Sequence, residues 1–175
     1  MILVYEGNLN AEHKRELEEV LKSFSCRQLN DDHLDQTMET LSGPDYTEGN
    51  GSINPDRPAF LYFVDEDLKD VSRIQNELEA RQVPLACMAI ETDNNKTFTL
   101  RAQMDEVAQE ALYFEKINEL TDLLQQADPM KMATDKDYAN CHLLAARLLR
   151  EEEISENMLE TALSVIRSFH PEKPE

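Results

Sequence analysis

The residues of this chain best placed to do chemistry lie in one run, Glu91-Thr92-Asp93-Asn94-Asn95-Lys96-Thr97-Phe98-Thr99. It joins an apolar, strand-like segment to the start of a long helical pattern. Backbone N–H groups at such a strand-to-helix turn can hold an anion. Glu91 stands where open α/β sheets place their ligands, at the carboxyl end of a strand. Glu91, Asp93, Asn94, Asn95, Thr97 and Thr99 are therefore the candidate ligand residues, second to a local capping role. The turn has no glycine to let backbone approach a phosphate, Asn and Asp cap turns through their own side chains, and Thr97 or Thr99 can cap the helix that follows.

Other reacting groups are scattered. His13, His33, His142 and His170 show none of the spacings that hold zinc, so neither a metal nor a cofactor is expected. His33, among Asp31, Asp32 and Asp35, reads as part of a solvated helix start. Cys26, Cys87 and Cys141 form no C-x-x-C pair. The first two lie in strand-like runs, where free cysteine acts as a small buried hydrophobe. A Cys87–His33 nucleophile pair would need a thiol in mid-strand, a poor position for attack. No G-x-S-x-G, Walker A or G-x-G-x-x-G signature occurs. No catalytic residue is assigned.

The elements that must position the turn follow from periodicity. Ile2–Tyr5 is a β-rich run, and Asn10 then caps a helix whose apolar stripe is Leu17, Val20, Leu21 and Phe24. Ser25–Leu29 gives a second strand, and Leu34, Met38 and Leu41 fall on one face of a short acidic helix. Residues 42–58 hold three of the four glycines and three of the seven prolines and read as a linker. The order then repeats. Ala59–Val64 is a strand; Asp65-Glu66-Asp67 suits a helix N-terminus; Leu68, Val71, Ile74 and Leu78 form an inward stripe; Leu85–Ile90 is a fourth strand. Unbroken hydrophobicity in strands three and four predicts burial on both faces. Short strand–helix–strand connections predict right-handed crossovers and parallel pairing within each half.

From Leu100 an apolar stripe runs through Met104, Val107, Ala111 and Phe114 and then shifts to Ile117, Leu120 and Leu124, so this helix is either long or bent near Tyr113. Asp128-Pro129 stops it. Two helices follow, Thr134–Glu151 with Tyr138, Cys141, Leu144, Ala145 and Leu148 inward, and Ser155–Phe169 with Leu159, Ala162, Leu163 and Ile166 inward, ended by His170-Pro171. The expected fold is α/β: two βα-type repeats (1–41 and 59–115) forming one small, mainly parallel four-stranded sheet, with a C-terminal helical extension over 116–175.

Composition narrows the partners. The 175 residues are 41% hydrophobic and 30% charged, with a formal net charge of −19. That charge repels phosphate backbones and anionic lipid, so nucleic acid and membrane surfaces are not expected partners. No apolar stretch is long enough to span a bilayer, and the start at Ile2-Leu3-Val4-Tyr5-Glu6 lacks a signal-peptide pattern, so a cytoplasmic location is expected. The segment 28–56 carries seven acids and no Lys or Arg. It reads as a solvated face or as a docking segment for a basic protein. The helical extension must bury its stripe on the domain or on a second copy, which makes a homo-oligomer the other expected assembly.

The run Pro84-Leu85-Ala86-Cys87-Met88-Ala89-Ile90-Glu91-Thr92-Asp93-Asn94, followed by Thr97-Phe98-Thr99-Leu100, resembles the bacterial and archaeal domain of unknown function 3783. In that family a strand and helix precede a "P-L-K-A-V-L-T-x-T-N" stretch, then "W-T" and a last helix. Ala86 stands here at the basic position, Ile90 at the first Thr and Phe98 at the Trp. The likeness spans residues 1–115, chiefly 59–112. It implies the α/β fold and brings no activity, cofactor or catalytic residue with it. The function expected is that of a non-catalytic interaction or ligand-sensing module, with an enzyme or small-molecule pocket near Glu91–Thr99 as the alternative.

Overall fold

A computed structural model describes residues 1–85 and 87–170. Ala86 of the expected fourth strand and Pro171, the expected helix stop, lie outside the described residues. The first half builds β1 (Ile2–Tyr5), α1 (Ala11–Leu21), β2 (Cys26–Leu29) and α2 (Met38–Ser42), with a 3₁₀ turn at Asp31–His33. The second half repeats it as β3 (Phe60–Phe63), α3 (Leu68–Ala80), β4 (Cys87–Ile90), a 3₁₀ turn at Asn95–Thr97 and α4 (Leu100–Gln125). Helices α5 (Pro129–Thr134), α6 (Lys136–Leu148) and α7 (Glu156–Phe169) complete the chain. By its contacts the chain forms two compact units, Met1–Gln109 and the remainder from Glu110 on.

The first unit carries the expected four-stranded α/β sheet, in the order β2-β1-β3-β4. β1 pairs parallel with β2, and β3 with β4, while the central pair β1–β3 is antiparallel. Alternation along the central strands sends side chains to both faces. Ile2, Val4, Leu61 and Phe63 meet Leu17, Val20 and Leu21 of α1 and Val71, Ile74 and Leu78 of α3. Leu3, Tyr5, Phe60 and Tyr62 meet Leu34, Met38 and Leu41 on the α2 side and Leu100 and Met104 at the start of α4. Helices on both faces explain why β1 and β3 are apolar without interruption.

β4 departs from that expectation. It is an edge strand, with Met88 and Ala89 half-buried and Ile90 exposed, because nothing pairs on its outer side. Cys26 is exposed for the same reason at the opposite edge, whereas Cys87 is buried against β3. Leu68 opens α3 and is 67% exposed rather than inward.

The two halves are related by an internal two-fold. Thr37 and Thr99, each immediately before its helix, face each other in an antiparallel bridge. Met38 N–H donates to Phe98 O at 2.9 Å, and Leu100 N–H donates to Gln36 O at 3.0 Å. Seven residues earlier in each half the correspondence continues. Asn30 N–H donates to His33 Nδ1 at 3.0 Å, and Thr92 N–H donates to Asn95 Oδ1 at 2.8 Å. His33 is thus the first half's counterpart of Asn95. It is only 1% exposed, contrary to its reading as part of a solvated helix start.

Residues 43–59 fold back over the end of β2. Thr47 O accepts from His33 Nε2 at 3.1 Å, Ser52 O from Asp31 N–H at 3.0 Å and Gln28 O from the Tyr46 hydroxyl at 2.7 Å. A Cβ on Gly49 would collide with Asn30 and His33, and one on Gly51 with the Asp32 carboxylate, so both glycines permit close approach.

In the second unit the residues of α4 from Glu110 onward pack with α6 and α7. α4 is one continuous helix of 26 residues, about 39 Å at the usual rise. Leu120, Ala145, Leu159, Leu163 and Ile166 form the buried centre. The strong stripe of α7 is therefore covered within its own unit. Leu144, expected inward, is 66% exposed. The Asp128-Pro129 stop also starts α5: Asp128 accepts from Met130 and Lys131 N–H, and proline suits the first helical position because it has no N–H to satisfy.

Leu61 sits in the centre of the sheet with no exposure. Leu61→Ala is expected to cost about 2–5 kcal/mol, read as a lower urea midpoint with unchanged slope.

Candidate functional site

The turn after β4 is built around Asn95. Its Oδ1 accepts from Thr92 N–H at 2.8 Å and from the Tyr62 hydroxyl at 2.7 Å, and its Nδ2 donates to Ile90 O at 2.9 Å. One amide therefore joins a strand end, a turn and a central strand. Burial and the neighbouring Glu91 raise the Tyr62 hydroxyl well above its ordinary range, so it acts as a fixed donor. The first half uses different atoms for the same purpose. The Tyr5 hydroxyl donates to Asp31 Oδ1 at 2.6 Å and accepts from Asn54 N–H at 3.2 Å, and burial with the Asp31 bond raises it to about 12.

The other residues of this turn point apart. Asp93 is almost fully exposed and pairs with Lys96 at 2.9 Å, which lowers its own carboxyl and raises the ammonium. Asn94 makes no side-chain cap bond, Thr97 Oγ1 donates to Asn94 O at 2.9 Å, and Thr99 Oγ1 accepts from Ala102 N–H at 3.2 Å. The structure thus ties Asn95 to Thr92, Asp93 to Lys96, and Thr97 to Asn94. Glu91 is half-buried, and its carboxyl is raised by burial and then by the nearby Asp65. Because β1 runs opposite to β3, the carboxyl ends of β3 and β4 share this edge of the sheet with the amino ends of β1 and β2.

Two of the concavities elsewhere bear on the partners expected from the sequence. One, of about 520 Å³, follows the free edge of β2, where Glu6, Glu18 and Glu48 surround Cys26, Gln28 and Tyr46. It is lined in part by the acidic segment 28–56, and several charges in or near that segment and the concavity are already engaged. Arg27 donates to Leu41 O and Gly43 O at 2.8 and 2.7 Å and lies over Tyr46 at 4.8 Å; Lys14 pairs with Glu6 at 2.8 Å; Arg101 pairs with Asp35 at 3.0 Å. The other, of about 450 Å³, lies between α6 and α7 and is apolar, with Leu144, Leu148, Met158, Ala162 and Val165 among its lining residues.

A fourth cluster joins the start of α6 to the end of α7. His142, 3% exposed, packs against Tyr138 with ring centres 3.9 Å apart and planes tilted by 32°, and brings its Nε2 to 3.3 Å from Nε2 of His170. The sequence pattern did not reveal this pair, because its members lie on two helices and in no known motif. Tyr5 and Tyr62 were also missed as capping donors. The one signal for them is a tyrosine inside each apolar central strand. Among the described residues no group of three or more His, Cys, Asp or Glu side chains is placed to hold a metal, and no helix is long and apolar enough to cross a membrane.

Asn95→Ala is expected to cost about 1–3 kcal/mol, since it leaves the part-buried Tyr62 hydroxyl without its acceptor, whereas Asp93→Ala leaves the urea midpoint unchanged. Glu91 supplies a pH test. A carboxyl raised on folding contributes stability at low pH that is lost as pH rises through its folded value. Glu91→Gln is therefore expected to stabilise the protein at neutral pH and to lose that advantage in acid, as read from urea midpoints across pH. No family model, curated protein or solved structure matches the chain, so its own residues carry the functional reading.

Proposed function

We propose that this chain is a non-catalytic cytoplasmic protein-interaction module that self-associates through the face formed by α6 and α7. The observation that carries the reading is the charge of that face. None of the ten residues lining the groove is charged, in a chain whose side chains are 30% charged. Leu144, Met158 and Val165 are nevertheless 66%, 54% and 38% exposed there. Depletion of charge around partly exposed apolar side chains is what distinguishes interface cores from ordinary surface.

A second copy suits the face for electrostatic reasons. Two molecules of net charge −19 repel wherever their acids meet. The acids of α7, Glu156 and Glu160, both bind Lys116 at 2.7 Å, and Glu119 binds Arg167 at 2.6 Å. None of them lines the groove. A two-fold contact pairs the same patch on both molecules; with α7 antiparallel to its copy, Met158 would lie near Val165 and the small Ala162 near the axis. The likeness to the domain of unknown function 3783 family bears on the sheet-bearing half and brings no chemistry that competes with this reading.

In sedimentation velocity the weight-average coefficient is expected to rise with concentration. Met158→Glu combined with Val165→Glu is expected to abolish the rise while leaving the circular dichroism spectrum intact. A wild-type protein that stays monomeric throughout the series would overturn the proposal.

A further inference from the structure

We propose that the free edge of β2 is a docking site for an extended, basic segment of another protein, which joins the sheet as an added strand. The backbone carries the argument. Ile2 lies beside Cys26 in a parallel register, and its N–H donates to Ser25 O at 2.8 Å. In a parallel ladder a residue bonds to the two residues that flank its neighbour. Ser25 and Arg27 therefore face β1, and Cys26 and Gln28 turn their backbone groups outward. The Tyr46 hydroxyl agrees with this direction, since it donates to Gln28 O at 2.7 Å from the outer side. Cys26 N–H, Cys26 C=O and Gln28 N–H remain. Among the described residues none of these three groups has a partner.

Open edges are normally blunted by lysine, proline, a bulge or a covering segment. β2 reads Cys-Arg-Gln-Leu, and its one base is tied away from the edge: Arg27 donates to Leu41 O and Gly43 O and lies over the Tyr46 ring. The edge is lined rather than covered. The concavity of about 520 Å³ has Glu18 of α1 on one side and Tyr46, Glu48 and Ile53 on the other. A hollow of about 300 Å³, lined by Leu17, Leu21 and Phe24, shares Glu18, Cys26 and Gln28 with it. Successive side chains of a strand point to opposite faces. An added strand thus sends one set towards Leu17, Leu21 and Phe24 and the other towards Tyr46 and Ile53. Main-chain bonds supply affinity in this mode, and such alternating hollows supply preference.

Charge selects the occupant. Glu18 and Glu48 are exposed on opposite sides of the edge, and among the described residues neither has a basic partner; Glu6 is already paired with Lys14. Lys or Arg side chains on the added strand would meet both free acids. A second copy suits the edge poorly, because a two-fold contact brings the same acids together in a chain of net charge −19. Every residue lining the two hollows belongs to the unit Met1–Gln109, so this inference does not depend on self-association through α6 and α7.

The probe is a fluorescein-labelled octapeptide of alternating Lys and Val. Its anisotropy is expected to show saturable binding that weakens with added salt. Glu18→Gln combined with Glu48→Gln is expected to weaken binding about three- to tenfold, the range open to exposed ion pairs. The same peptide with every backbone nitrogen methylated keeps its charge and is expected not to bind. Hydrogen exchange of the full chain reads the edge directly. Cys26 and Gln28 N–H are expected to exchange freely in the protein alone and to gain about tenfold protection with saturating peptide, while Arg27 N–H, bonded to β1, stays unchanged. The proposal is overturned by any of five results: no binding, equal binding of the methylated peptide, equal binding by the double variant, peptide-induced protection that spares Cys26 and Gln28, or edge amides already protected in the free protein, as pairing of two copies would give.

Discussion

The antiparallel pairing of β1 with β3 is the constraint on which the sheet-bearing unit depends. Register places Ile2 opposite Phe63 and Tyr5 opposite Phe60, so the two halves meet head to tail across a pair of strands with no exposed side chain. Everything outward follows from it. α1 and α3 cover one face because both must bury stripes against the same four strands. α2 and the first turns of α4 cover the other. Their N-termini converge on the two-fold, where Thr37 and Thr99 complete each other's backbone bonding. The cost of leaving those N–H and C=O groups unpaired beside a core explains why the bonds are reciprocal.

Much of this was legible in the residues. Apolar runs at 2–5 and 59–64, and helical stripes such as Leu17-Val20-Leu21, report burial that any arrangement of the elements must satisfy. What periodicity does not carry is the direction in which one half meets the other. Parallel pairing within each half was readable from the short crossovers, but the antiparallel centre arises from contact between Leu3, Val4, Leu61 and Tyr62, residues equally suited to either orientation. Edge position was hidden for the same reason: Cys87-Met88-Ala89-Ile90 is as apolar as a central strand and is left half-open by its place in the order.

The candidate site was legible in position and less so in role. The turn at Glu91–Thr99 does join a strand to a helix, and Asn95 lies within it. Its partner Tyr62 is 33 residues away, so no local pattern could show that the amide is occupied. His33 illustrates the limit more sharply. Its acidic neighbours in sequence suggested solvent, while its bonds run to Asn30 and to Thr47 in a segment that reads as a linker. The fold places equivalent jobs on an imidazole in one half and on an amide in the other.

The internal two-fold also bears on how the sheet-bearing unit comes apart. Each half owns one central strand whose inner edge only the other half can satisfy. Detached, it would present four consecutive apolar residues with unpaired backbone, the kind of surface that recruits foreign strands. Neither half is thus a stable intermediate for the other to build upon. The unit is bound to gain or lose its order as a whole, and a segment as ordinary as residues 43–59, by clamping the end of β2 and bonding the Tyr5 hydroxyl through Asn54, helps to hold that seam shut.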